Sequence, residues 1–147
     1  MLALRRPKIN SNGTEQSVIS ALRFRQRKAL APIELCVLKG MPFRSSCRAT
    51  ARFAAIVPAA GGGDVESASA LAGLPIWAFH GTDDKTVPVK GSTEIVEAIR
   101  NAGGKPKLTI FPKTGHGIGN QVFSRTDVYD WLLRQKRSAN VVNAAGE

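Results

Sequence analysis

The sequence predicts an α/β fold in which a parallel sheet is flanked by helices. From Phe53 onward, short apolar runs of strand-forming residues alternate with segments of helical period, which is the pattern of strand-helix-strand units. The runs at 53–57 and 75–79 are apolar almost throughout, as expected for strands that are buried on both faces of a sheet. Glycine or proline bounds each run, and these residues end strands and form turns.

Three strands and two helices are predicted in this part of the chain. The predicted strands are residues 53–57, 75–79 and 107–111. A helix is predicted between Gly91 and Gly103, with Ser92 as its N-cap and two glycines as its end. The last helix begins between Ser124 and Asp127 and carries its apolar residues on one stripe. A sheet of about three strands leaves an exposed edge, which predicts self-association.

The first third of the chain is strongly basic. The net charge of the whole chain is +10; residues 1–52 hold 11 Lys/Arg against 2 acids, while residues 53–147 hold 10 against 9. Residues 18–25 fit a short basic amphipathic helix and residues 33–38 a short strand. We therefore divide the chain into a basic N-terminal segment of irregular fold at 1–51, an α/β domain at 52–137 and a frayed tail at 138–147.

The sharpest chemical signal follows the second predicted strand. Residues 80–88 fit the form H-G-x-x-D-x-x-V-P with Asp84 as its acid, and residues 114–117 place His116 between two glycines after the next strand. Ligands of open α/β sheets gather at the carboxyl ends of the strands. Strand, acid, helix, strand, histidine is also the terminal order of an α/β-hydrolase triad.

In these residues the sequence resembles the α/β-hydrolases grouped as phospholipases/carboxylesterases, dienelactone hydrolases and related esterases or peptidases. The resemblance covers residues 52–137 and rests on several motifs in the family's order: 52–58, 74–81, 84–88, 114–116 and 129–133. It implies that this part of the chain is the C-terminal portion of such a hydrolase. The implied activity is cleavage of a small-molecule carboxylic ester, or of a peptide, with no metal or organic cofactor.

The resemblance also implies roles for single residues. Asp84 would be the triad acid, which orients a histidine and stabilises its charged form, and His116 would be the general base. Asp83 is a weaker candidate for the acid, because it falls one position early in the pattern. His80 is expected to be a structural histidine bonded to the backbone.

The family's nucleophile motif, G-x-S-x-G, is absent from the sequence. Cys36 falls near the expected position, but Glu34 and Leu38 stand where the strained turn needs small residues. This argues against a cysteine nucleophile and predicts that the chain by itself is inactive. The abrupt change in charge and rhythm near residue 50 suggests a truncated or frame-disrupted coding sequence.

A different interpretation makes the chain a non-catalytic protein whose basic first third binds nucleic acid or an anionic surface. Four cations lie between Arg23 and Lys28, but Phe24 is the only aromatic residue among them and no nucleic-acid-binding motif is present. The same Arg-rich, acid-poor segment is also compatible with an organellar transit peptide. No apolar run approaches the roughly 20 residues of a membrane span, so a cytoplasmic location is expected for this chain, although the parent family is often secreted. Cys36 and Cys47 lack zinc-type spacing and are expected to be ordinary thiols.

Overall fold

The computed structural model describes the backbone of residues 19–24 and 33–39 and all atoms of residues 53–135. These residues form one five-stranded sheet in the order β1-β2-β3-β4-β5. The strands are β1 (Ile19–Phe24), β2 (Ile33–Lys39), β3 (Phe53–Ala59), β4 (Trp77–Gly81) and β5 (Lys107–Phe111). The helices are a 3-10 turn (Val65–Ser67), α1 (Ala68–Leu71), α2 (Val89–Asn101), α3 (Gly119–Phe123) and α4 (Thr126–Arg134).

Four of the five strands are parallel. Strands β2, β3, β4 and β5 run in the same direction, and β1 pairs antiparallel with β2 at the edge. The α/β class and the flanking helices predicted from the sequence are confirmed. The three strands predicted from residue 53 onward are present as β3, β4 and β5, and β1 and β2, which lie within the basic segment, extend the sheet to five strands.

Residues 19–24 form a strand, so the predicted basic helix at 18–25 is wrong. The pairing runs from Ile19 opposite Leu38 to Phe24 opposite Ile33. Pairing with β2 thus determines the secondary structure of residues 19–24, because their own sequence pattern suits both a helix and a strand. The predicted strand at 33–38 is confirmed as β2. The predictions for the tail at 138–147 lie outside the described residues.

Helices cover both faces of β3 and β4, which explains why these strands are apolar throughout. On one face, α1 and α2 pack through Leu71, Ile95 and Ile99 against Ile56 and Ile76. The other face is covered by α3 and α4, through the side chains Ile118, Val122, Val128 and Leu132. Phe79 lies fully buried in this second cluster. A two-layered core of this kind holds the carboxyl ends of β4 and β5 at a fixed separation.

The described helices differ from prediction at the start of α2 and in their number. Helix α2 begins at Val89 directly after Pro88, four residues before the start that a cap at Ser92 predicts, and Ser92 therefore lies inside the helix. The glycine stop is confirmed, since Gly103 follows the helix with φ of 89°. The 3-10 turn and the short helices α1 and α3 were not predicted from the sequence. No described helix is long and apolar enough to cross a membrane.

Candidate active site

Two loops meet at the carboxyl ends of β4 and β5. The N–H of Thr82 donates to the carbonyl of Phe111 (3.0 Å), and the N–H of Asp83 donates to the carbonyl of Thr114 (2.9 Å). From the other loop, the N–H of Lys113 donates to Oγ1 of Thr82 (2.8 Å). These three bonds join the loop that carries Asp84 to the loop that carries His116.

Gly81 allows this close approach. A Cβ at this position would lie 2.7 Å from the carbonyl carbon of Thr114 and 2.8 Å from the carbonyl oxygen of Gly115. Because both obstacles are backbone atoms, only glycine fits at the end of β4 without moving the histidine loop. The glycine of the H-G pair therefore has a steric function in the site.

Asp84 is held by its own loop. Its Oδ1 accepts hydrogen bonds from the N–H groups of Thr86 and Val87, both at 2.9 Å. This is the local turn in which aspartate binds the backbone two and three residues ahead. These two bonds orient the carboxylate and leave its second oxygen, Oδ2, free to accept from other groups.

His116 is the partner of Asp84. Its Nδ1 lies 2.8 Å from Oδ2 of Asp84, across 32 residues of sequence. The Asp84 side chain is fully buried, and the His116 side chain is 24% exposed. Since a carboxylate can only accept, Nδ1 of His116 carries the proton and the Nε2 of a neutral ring is an acceptor. The carbonyl of His116 accepts from the N–H of the buried Ile118 (2.9 Å), which anchors the loop to the core.

The environment of Asp84 favours its charged form. Burial by itself would raise the pKa of Asp84. The hydrogen bond from the Val87 N–H, the imidazole of His116 and the N–H of Thr86 outweigh burial, and together they hold the pKa below its ordinary value of 3.8. The carboxylate is thus ionised at neutral pH and suited to orient and charge-stabilise an imidazole.

His80 approaches the same carboxylate from the protein interior. It is fully buried, and its Nε2 lies 2.9 Å from the carbonyl of Val87 and 3.2 Å from Oδ2 of Asp84. Its Nδ1 lies 2.6 Å from Oγ of Ser92. The contact with the Val87 carbonyl agrees with the expected backbone-bonded histidine. The contacts with Asp84 and Ser92 were not foreseen, because nothing in the sequence marks a serine 12 residues away as a partner.

The other candidates are placed away from the pair. The Asp83 side chain is exposed and accepts from Oγ1 of Thr82 (2.7 Å), so it supports the loop and does not reach His116.

Within the described part of the chain, no group of three His, Cys, Asp or Glu side chains could hold a metal ion.

Cys36 lies in the interior of β2. It is level with Ile56, whereas Lys39, at the end of β2, is level with Ala59 and hence with Phe79. Three residues of strand separate these levels, which is roughly 10 Å. The loops of Asp84 and His116 begin beyond the level of Phe79, so Cys36 is too far down the strand for a nucleophile at the sheet edge.

The fold and the site together define a class. Parallel strands covered by helices carry an acid after one strand and a histidine after the next, with the two side chains hydrogen-bonded at the sheet edge. This is the C-terminal portion of an α/β-hydrolase.

Residues 65–138 match the model of the prolyl oligopeptidase family. The match spans half of the chain and includes both Asp84 and His116, and the chain therefore belongs to this family. No curated protein matches the sequence.

Solved structures with the same fold include esterases and peptidases. A thermostable esterase superimposes with a TM-score of 0.61 and 31% sequence identity, over 65% of this chain and 28% of the esterase. The acylaminoacyl peptidase of Pyrococcus horikoshii (TM-score 0.55, 14% identity, 70% of this chain and 24% of that one) and a dipeptidyl aminopeptidase of Bacteroides ovatus (0.56, 14%, 66% and 19%) share the fold. The chain thus spans less than a third of the length of each.

Proposed function

We propose that this chain supplies the acid and the base of a serine hydrolase that cleaves carboxylic esters, with Asp84 as the acid and His116 as the base. The observation that carries the proposal is the 2.8 Å contact between Nδ1 of His116 and Oδ2 of Asp84 at the carboxyl edge of a parallel sheet. Family membership supports a serine hydrolase, and the 31% identity to an esterase favours an ester as the substrate.

In the proposed mechanism, Nε2 of His116 accepts the proton of a serine hydroxyl while the serine oxygen attacks the ester carbonyl. The same proton then passes to the leaving alcohol, and an acyl-serine remains. Water repeats the cycle and releases the carboxylic acid. Asp84 keeps the proton of the neutral ring on Nδ1 and stabilises the imidazolium that forms in each step.

The geometry at Nε2 supports this assignment. None of the described residues forms a hydrogen bond to that nitrogen, and the ring is partly exposed while its partner carboxylate is buried. A serine oxygen within about 2.6–3.2 Å of Nε2 would complete the triad. The chain contains no G-x-S-x-G motif to supply it, so the chain alone is proposed to be inactive.

The choice of esters over peptides follows from the esterase likeness and remains part of the proposal. The second interpretation, a basic protein that binds anionic partners, receives no support from residues 53–135, where eight cations balance eight anions. The basic side chains on which it depends lie outside the residues whose side chains are described.

The test is covalent labelling of the purified chain with a fluorophosphonate, followed by mass mapping of the adduct. Variants His116→Ala, Asp84→Asn and Cys36→Ala are compared with Asp83→Asn, a matched control that removes an exposed carboxylate from the same loop. We expect that any adduct depends on His116 and Asp84 and survives the changes at positions 36 and 83. Labelling that persists in His116→Ala would overturn the assignment. A folded chain without labelling agrees with the proposed inactivity of the chain alone.

A further inference from the structure

His80 is a buried titratable group that the acid-base mechanism does not use. Its side chain has no exposed surface, and it contacts the same oxygen of Asp84, Oδ2, as the partly exposed His116. The protonation state of such a ring follows from its hydrogen-bond partners, because a buried nitrogen needs a partner of the complementary kind.

The partner of Nε2 requires a proton on that nitrogen. Nε2 lies 2.9 Å from the carbonyl oxygen of Val87 and 3.2 Å from Oδ2 of Asp84. Both oxygens can only accept, so Nε2 must be the donor. A neutral ring would then have an unprotonated Nδ1.

The environment of Nδ1 requires a second proton. Nδ1 lies 2.6 Å from Oγ of Ser92, and the same Oγ lies 2.6 Å from the carbonyl oxygen of Gly61. The Gly61 carbonyl can only accept, so the single hydroxyl proton of Ser92 is directed to it. The Ser92 oxygen is then an acceptor toward His80, and Nδ1 must donate to it.

We propose that His80 is a buried imidazolium and a positioning residue that holds Oδ2 of Asp84 from the interior. A chain of hydrogen bonds runs from the Gly61 carbonyl through Ser92 and His80 to Oδ2 of Asp84. The partly exposed His116 contacts the same Oδ2. The Asp84 carboxylate balances the buried charge, as a buried ion requires. The positioning role rests on the proposed function of Asp84, whereas the charge of His80 does not.

His80 and His116 are linked through Asp84, because both rings contact the same carboxylate oxygen, Oδ2. Asp84 is the charged side chain that touches either ring among the described residues; the remaining contacts of His80 are the Ser92 hydroxyl and the Val87 carbonyl. Replacing His80 should therefore change the hydrogen bond between His116 and Asp84.

The experiment is nitrogen NMR of the full chain labelled with ¹⁵N-histidine. The chain contains two histidines, so a His116→Gln variant leaves the spectrum of His80 alone. We expect both ring nitrogens of His80 to be protonated at pH 7.5. In Ser92→Ala, Nδ1 loses its hydrogen-bond partner and should be unprotonated. Thr93→Ala is the matched control, because Thr93 Oγ1 donates to the Lys90 carbonyl and not to His80.

A His80 ring with one unprotonated nitrogen at pH 7.5 in the otherwise unchanged chain would overturn the proposal, even if Ser92→Ala fails to fold. In His80→Asn, the low-field proton of His116 Nδ1 should shift, because Oδ2 of Asp84 loses its contact with the buried ring, a change that a merely space-filling role would not produce. An unchanged Nδ1 proton signal in a folded variant would refute the positioning role. Neither result depends on ester hydrolysis, so a failure of the proposed function is seen separately in the labelling experiment.

Discussion

A Cβ on Gly81 would overlap the carbonyl oxygen of Thr114. The close approach of these two backbone segments brings the loop of His116 to the end of β4, where His116 binds Asp84. The obstacle is backbone, which cannot rotate away as a side chain would. The acid and the base are therefore held together by a glycine that takes no part in the chemistry.

Gly81→Ala should destabilise the chain by about 1–3 kcal/mol, the usual cost of inserting a methyl group into a tightly packed place. The histidine loop should also shift, which lengthens the bond between His116 and Asp84. Chemical denaturation measures the first effect, and the low-field proton of His116 Nδ1 reports the second. Gly117→Ala is the control, because nothing lies within 4 Å of a Cβ there. Equal behaviour of the two variants would contradict the steric role of Gly81.

Lys113→Gly should stabilise the chain. Lys113 has a φ of 53°, a left-handed conformation that costs a residue with a Cβ about 1–2 kcal/mol. Glycine adopts it freely but adds roughly 0.4–1 kcal/mol of unfolded-state entropy, so a net gain of about 0.5 kcal/mol is expected. The bond from the Lys113 N–H to Thr82 is retained because it belongs to the backbone. A lower denaturation midpoint in this variant would show that the lysine side chain matters more than the strain.

The stability of the chain should depend on pH through Asp84. Its pKa is lowered in the folded chain from the ordinary value of 3.8, so folding favours the ionised form. Above pH 3.8 the carboxylate is ionised in both the folded and the unfolded chain, and its full contribution to the free energy of unfolding is present. As the pH falls through 3.8 the unfolded chain binds the proton first. The contribution is lost once the pH has passed below the pKa of the folded chain.

Asp84→Asn removes this contribution. The difference in unfolding free energy between wild type and Asp84→Asn should be constant from pH 5 to 7 and should shrink as the pH falls below about 4. Urea denaturation at a series of pH values measures it, with Asp83→Asn as the control for loss of a carboxylate in the same loop. A difference that grows toward low pH would contradict the lowered pKa of Asp84.

The elements near the site could be predicted because their signals are local. Strand β5 is closed by Pro112, and the glycines after α2 end that helix, so both ends follow from the sequence. The fold class and the relationship to hydrolases followed from the order of these elements and the motifs after them. Asp84 and His116 are 32 residues apart in the sequence, so only the order of the elements indicates that their side chains meet.

The remaining features depend on tertiary contacts. The segment 19–24 is a strand because it pairs with β2, and its own pattern suits a helix as well. Ser92 resembles an N-cap in the sequence, but the helix already begins at Val89, which leaves Ser92 to bind His80 and Gly61. No local rule relates these three residues, because they come from different elements.

The most direct test of the acid-base assignment is a chimera in which residues 65–135 of this chain replace the corresponding segment of the 31% identical thermostable esterase. The esterase then supplies the nucleophile, and hydrolysis of a p-nitrophenyl ester measures kcat/KM. We predict an active chimera that loses at least about 10³-fold in kcat/KM with Asp84→Asn or His116→Ala and keeps its rate with Asp83→Asn. A folded chimera that hydrolyses the ester equally well with alanine at position 116 would contradict the account.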